Sequence, residues 1–177
     1  MRLFIALPTD EGTREALRDY QAVLRALGIR GSDTRPENLH ITLAFLGELP
    51  DPASVIEAMQ AVRTSGLLSL LLDRPGRFQQ RDGALLWLGS SRDRPVQRLA
   101  AALTSELQNR GRPTQERPYQ AHITLFRRVK NGDIVPRMPE IGIPYRADSM
   151  VLFRSHRPEG VLTYTPLYVQ SLTEETL

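Results

Sequence analysis

The chain has 177 residues, 41% hydrophobic and 24% charged. That balance suits one globular domain or two intimately packed lobes and excludes a wholly disordered chain. Cysteine is absent, which excludes disulfide scaffolds, cysteine-based zinc sites and thiol nucleophiles together, and fits a reducing compartment. The net charge is +3 and the pI about 9.7, a mild basic excess that permits a nucleic-acid ligand without establishing one. Lys130 is the single lysine beside 22 arginines. A coding bias accounts for most of them, although arginine is also the bidentate phosphate ligand that lysine is not.

In chain order, Arg2 to Leu7 reads as a first strand, with Leu3, Ile5 and Leu7 alternating. A helix follows from Asp10 to Leu27 with the stripe Leu17, Tyr20, Leu24 and Leu27, closed by Gly28. Leu39 to Leu46 reads as a strand. Asp51-Pro52 opens a second helix that shows Val55, Met59 and Val62 on one face. Leu67 to Leu72, a short piece near Phe78, and Ala84 to Leu88 read as strands, with a turn over Gln80 to Gly83. A third helix, Arg94 to Asn109, spaces Val96, Leu99, Leu103 and Leu107 for burial and ends at Gly111 and Pro113. Gln120 to Phe126 is a strand. Asn131 to Tyr145, rich in Pro and Gly, reads as an irregular surface loop. Arg146 to Phe153 and Leu162 to Val169 close the chain as strands. Hairpins mixed with helices predict an α+β fold with antiparallel sheets. Neither apolar run, Leu3 to Leu7 or Leu67 to Leu72, has the length of a signal peptide core or a membrane span. The expectation is a soluble, cytoplasmic protein, a monomer with no obligate protein partner.

The main signal is an internal repeat. Residues 35–43 and 117–125 both read Arg-Pro-x-x-x-His-Ile-Thr-Leu, 82 residues apart, too long a period and too few copies for a solenoid. Two related lobes, each supplying one copy, make residues 1–177 a single bilobal unit with a central cleft. Two of the three histidines, His40 and His122, lie in the repeat; His156 is the third. Side chains alternate along a strand, so His40 and Thr42 share one face while Ile41 and Leu43 anchor the other. His122 and Thr124 stand likewise against Ile123 and Leu125. Under approximate two-fold packing the two polar pairs face each other across the cleft. One His-x-Thr pair is ordinarily a solvent-facing strand edge; two identical copies are not.

Two imidazoles near neutrality can serve as general base and general acid, and two threonine hydroxyls can donate to phosphate oxygens. In-line displacement at phosphorus follows, one histidine activating water and the other protonating the departing oxygen. The copies are nearly equivalent, so spacing alone does not say which does which. Two histidines with two threonines are a poor metal-ligand set, and no metal or other cofactor is implied. No P-loop and no Gly-x-Ser-x-Gly elbow is present.

These residues resemble the 2H phosphoesterase superfamily, and within it the RNA 2′,3′-cyclic phosphodiesterases once called 2′-5′ RNA ligases. The duplicated motif is carried by His40-Ile41-Thr42-Leu43 and His122-Ile123-Thr124-Leu125. Further likeness lies in Arg2-Leu3-Phe4-Ile5-Ala6, Ala44-Phe45-Leu46-Gly47, Arg127, Leu152-Phe153-Arg154-Ser155, Gly160 and Tyr164. The stretch after Ser155 is slightly shorter than the family's usual. The resemblance implies a bilobal α+β fold with a basic cleft. It implies metal-independent opening of a 2′,3′-cyclic phosphate at an RNA end to a 2′-phosphate, with His40 as proton donor and His122 as proton acceptor. Reverse 2′-5′ ligation follows if an RNA 5′-hydroxyl replaces water. A phosphodiesterase for small cyclic nucleotides and a non-catalytic RNA-binding module are the alternatives.

Around the motifs, Thr42, Thr124 and Arg127 are the expected phosphate-binding residues. Strict alternation puts Arg127 on the wrong face, so the resemblance requires a bulge or strand end to turn it inward; Arg128 is the weaker alternative. Phe126 falls on the His122 face and is either a base-stacking ring or an apolar cap. Phe45 is expected in the core beside Ile41 and Leu43, and Trp87 in the core. His156 is expected exposed and non-catalytic, at the cleft rim. Arg35 and Arg117 either steer RNA or pack at the start of the motif strands.

Overall fold

The computed structural model describes residues 1–63, 66–112 and 118–173. Its elements are β1 (Arg2–Pro8), α1 (Glu11–Ala26), β2 (Ser32–Asp33), β3 (His40–Glu48), α2 (Ala53–Ala61), β4 (Leu68–Leu72), β5 (Arg74–Gln80), β6 (Gly83–Gly89), α3 (Arg94–Asn109), β7 (His122–Val129), β8 (Ile143–Ala147), β9 (Ser149–His156) and β10 (Thr163–Ser171). The fold is α+β with antiparallel pairing throughout the described sheets.

Local chemistry starts and stops the helices. Asp10 caps α1 by accepting from the Thr13 N–H at 2.7 Å, and Gly28 closes it at φ +95°, a conformation that costs glycine nothing. Of the expected stripe, Leu17, Tyr20 and Leu24 are buried and Leu27 is half-buried, while Thr13 and Gln21 join the buried face. In α3 the four expected residues are buried together with Ala100. Asp51 stands one residue before the cap position of α2 and accepts from the Ala53 N–H.

The main sheet has the order β10-β9-β1-β3-β7-β6-β5, with β2 also paired to β7. The two motif strands are therefore central neighbours. They pair at one position only, Ile41 with Ile123, and each continues into its own half of the sheet. The halves match in register. Leu7 faces Ile41 and Ala6 faces Thr42 in one; Leu88 faces Ile123 and Trp87 faces Thr124 in the other. Ile41, Leu43, Ile123 and Leu125 are all at most 3% exposed and belong to one hydrophobic core, which anchors both motifs from behind.

The segment Asn131–Tyr145 is not the surface loop its proline and glycine content suggests. It forms a short 3-10 turn over Gly132–Arg137 and then β8, which pairs with β4 in a separate two-stranded sheet. Ile134, Met138, Ile143 and Tyr145 are buried. Thr13, Tyr20 and Tyr145 hydroxyls donate to Pro144, Pro139 and Pro8 carbonyls, binding the segment to α1 and β1. Its partner strand lies some seventy residues earlier, a non-local pairing that no local pattern announces. The single strand read over Arg146 to Phe153 is the end of β8 and most of β9, divided at Asp148.

Candidate active site

The polar faces of β3 and β7 carry His40, Thr42, His122 and Thr124, all partly buried. Each histidine is held the same way. The His40 Nδ1–H donates to the Asn38 carbonyl at 2.8 Å, and the His122 Nδ1–H donates to the Gln120 carbonyl at 2.7 Å. A carbonyl can only accept, so each ring carries its proton on Nδ1 and turns the Nε2 lone pair outward. The two copies then diverge. Nε2 of neutral His40 accepts from the Thr42 hydroxyl at 2.9 Å; Nε2 of His122 has no protein partner among the described residues.

Both imidazoles resist protonation. Burial, then the nearby Arg127 and His122 charges, pulls His40 down to about 4 despite the Asn38 carbonyl. Burial and Arg127 lower His122 as well. At neutral pH both rings are neutral in the free protein. An anion set between them and Arg127 offsets these effects and favours the imidazolium.

Arg127 reaches the site through a β-bulge. The β6–β7 register skips Leu125 between the Trp87–Thr124 and Leu86–Phe126 pairs. Leu125 and Phe126 are therefore both buried, and Arg127 returns to the His122 face. The β1–β3 register skips Leu43, its repeat mate, between Ala6–Thr42 and Ile5–Ala44. The same inversion turns Phe45 outward: it is 47% exposed, not in the core as expected. Phe126 is correspondingly no base platform: it is fully buried, with the Arg25 guanidinium 5.0 Å from its ring centroid. Arg128 sits at φ +55° and bonds Ser32 at the surface.

Aromatic rings frame each histidine. Phe4 and Tyr164 lie 5.0 and 5.4 Å from His40, and Phe78 and Trp87 lie 5.0 and 5.8 Å from His122. Trp87 is buried, as expected, but borders the site; its ring lies so close over Gly76 that a Cβ there would sit 2.1 Å from it. His156 is away from the rim: it bonds Thr165 at 2.8 Å on the face of β9 opposite Phe153, by strand alternation. Arg35 is exposed and paired with Glu37; Arg117 lies outside the described residues.

Two supporting residues escape a reading of the sequence. The Tyr119 hydroxyl, from just before β7, donates to the Thr42 carbonyl at 3.0 Å, and burial holds its phenol far above the usual range. Gln21 of α1 donates to the Leu125 carbonyl at 2.9 Å, at the bulge. The repeat holds a hint of the first: Tyr119 occupies the place of Glu37, so the copies differ where one reaches across to the other.

A duplicated His-x-Thr motif on neighbouring central strands, with its two histidines near enough for their charges to interact, marks a 2H phosphoesterase. The family model described as the 2′-5′ RNA ligase superfamily matches residues 14–159, and the chain belongs to that superfamily. The RNA 2′,3′-cyclic phosphodiesterase of Escherichia coli (strain K12) is 30% identical over 98% of this chain and 97% of its own. That of Thermus thermophilus is 30% identical over 99% and 92%. Among solved structures, E. coli LigT complexed with 3′-AMP superimposes with a TM-score of 0.81 at 30% identity, covering 98% of both chains. Among the described residues no helix is long and apolar enough to cross a membrane.

Proposed function

We propose that the protein is a metal-independent RNA 2′,3′-cyclic phosphodiesterase in which residues 1–177 act as one bilobal unit. The observation that carries this reading is the matched pair of imidazoles, each pinned through Nδ1 to a carbonyl two residues earlier, with Arg127 charged beside both.

His122, whose Nε2 has no protein partner among the described residues, takes a proton from water. The water oxygen attacks phosphorus, the P–O3′ bond breaks, and the His40 imidazolium gives its Nε2 proton to O3′. A 2′-phosphomonoester remains, and exchange with solvent resets both rings. This assignment of donor and acceptor follows the family resemblance. Arg127 and the Thr42 and Thr124 hydroxyls bind the non-bridging oxygens, where preorganised donors stabilise the developing charge. The phosphate charge raises the His40 pKa on binding, supplying the protonated acid that the free site lacks. An RNA 5′-hydroxyl in place of water forms a 2′-5′ linkage by the same steps. Two imidazoles and two hydroxyls are a weak metal-ligand set, which supports a site working without a metal or other cofactor. The cysteine-free chain supports a cytoplasmic setting.

The test is to incubate the protein, in EDTA, with a short RNA ending in a 2′,3′-cyclic phosphate and to follow phosphorus NMR. A 2′-monophosphate is expected. A 3′-monophosphate would reverse the roles of the histidines, and an unchanged substrate would overturn the reading. A cyclic mononucleotide run alongside separates an RNA-end enzyme from one for small cyclic nucleotides.

A further inference from the structure

The bulge that turns Arg127 toward the histidines leaves its extra residue, Leu125, without a partner in the ladder. On the β6 side the register passes from Trp87–Thr124 to Leu86–Phe126 and skips Leu125. The Leu125 carbonyl is satisfied from the other side, by two donors. The Thr34 N–H reaches it at 2.9 Å, and the side-chain amide of Gln21, on α1, reaches it at 2.9 Å. The same amide nitrogen donates its second proton to the Thr34 carbonyl at 3.0 Å. Gln21 is 7% exposed. One buried amide thus fastens α1, the residue after β2 and the bulge to one another.

The surroundings fit the same contact. Beyond the Ile41–Ile123 pair, β7 takes β2 as its neighbour, with Asp33 facing Phe126 and Ser32 facing Arg127. Gly31 runs so close that a Cβ there would sit 2.8 Å from the Arg127 carbonyl oxygen. Arg25 donates to the Ile29 and Gly31 carbonyls, pairs with Asp33 and lies over the Phe126 ring. Helix residues four apart share a face, so α1 brings Gln21 and Arg25 to one stretch of β2 and β7. The bulge in β3 is served differently: there the Tyr119 hydroxyl donates to the carbonyl of Thr42, just before Leu43. Arg127 carries its guanidinium from a strand past an irregularity, and a misplacement of about 1 Å in a positioned group can cost about 10²-fold in rate.

We infer that Gln21 is a positioning residue of the site: by tying the Leu125 carbonyl to Thr34, it fixes the bulge from which Arg127 reaches the phosphate. The inference rests on the phosphate-binding role proposed above for Arg127. Both partners of Gln21 are backbone carbonyls, so it acts through the course of β7 and not on the substrate.

Gln21→Met keeps the length of the side chain and removes the donor. With the bulge free to shift, Arg127 withdraws and lowers the two imidazoles less. NMR titration of the ring protons should show His40 and His122 both rising, in the direction of Arg127→Gln. The Gln21→Met/Arg127→Gln double variant should rise no further than Arg127→Gln alone. A residue that only stabilises the fold would lower the urea midpoint and leave both titrations at their wild-type values. That result would overturn the inference, as would shifts that add in the double variant or unchanged titrations in Arg127→Gln. In turnover of a cyclic-phosphate RNA, Gln21→Met should lower kcat about tenfold and leave KM within about twofold. If the wild-type protein turns over no such RNA, the reaction reading fails separately, and the titrations still decide the role of Gln21. If Gln21→Met does not fold, Arg25→Lys takes its place, since it keeps the charge and loses the fork that spans Gly31 and Asp33. The same rise is expected of it, and wild-type titrations would again overturn the inference.

Discussion

The two motif strands are alike in four consecutive residues and unlike in what surrounds them. β3 holds His40 with Nε2 engaged by Thr42, beside Phe4 and Tyr164, and ends its polar face in Phe45. β7 holds His122 with no Nε2 partner among the described residues, beside Phe78 and Trp87, and ends in Arg127. The shared parts place two imidazoles on neighbouring strands, near enough for their charges to interact. The unshared parts give the two rings different surroundings, and the proposed reaction, which needs one acid and one base, would draw on that difference.

The hardest way to break this pairing is to remove a ring. His40→Ala and His122→Ala should each lower kcat by about 10²–10⁴-fold, measured by single-turnover cleavage of a cyclic-phosphate RNA in EDTA. The double variant should fall far short of the product of the two losses if they act as a unit; fully multiplicative losses would show independent roles.

Arg127→Gln should reduce kcat by about 10²-fold, the scale for losing one charge-stabilising donor. It also sharpens the comparison, because Arg127 lowers both histidines. Removing its charge should raise both imidazole pKa values in the free protein, read by NMR titration of the ring protons. An unchanged pair of titrations would place Arg127 away from the rings.

Tyr119→Phe removes the buried hydroxyl that ties the second copy to the first. An orphaned buried carbonyl costs about 1–3 kcal/mol. The urea midpoint should fall accordingly, and kcat should fall by more than KM rises, because Thr42 bonds His40 directly. A wild-type midpoint would mean that water replaces the phenol at no cost.

A further effect is on stability in acid. The unfolded chain's histidines bind protons near 6.5, whereas folded His40 does so only near 4. As pH falls from about 6.5 toward 4 the unfolded state binds more protons, so stability must drop across that window. His40→Gln should flatten the drop in a series of urea melts. If its slope matches wild type, His40 is not the group responsible.

Much of this is readable from residue order. The repeat exposes both histidines and both threonines because strand alternation is strictly local, and the helical stripes of α1, α2 and α3 are legible for the same reason. Where a bulge intervenes, alternation fails. Arg127 needs a bulge and has one, but the same device in β3 leaves no mark in the residue pattern. Alternation therefore puts Phe45 in the core and leaves Phe126 open to the cleft. Both errors have one cause: Leu43 and Leu125 each occupy an extra residue that shifts the phase of everything after them.

The sequence by itself determined the superfamily, since two copies of one polar pair on apolar-backed strands carry its motif; the two-histidine chemistry proposed above depends on the packing that brings the copies together. Tertiary structure decided the rest. Which strands neighbour one another, that β3 and β7 meet at a single residue pair, that Tyr119 reaches across to Thr42 and that Asn131–Tyr145 hides a strand are all non-local facts. They arise when segments many residues apart satisfy one another's hydrogen bonds and bury one another's apolar faces, and no short stretch of sequence holds both partners.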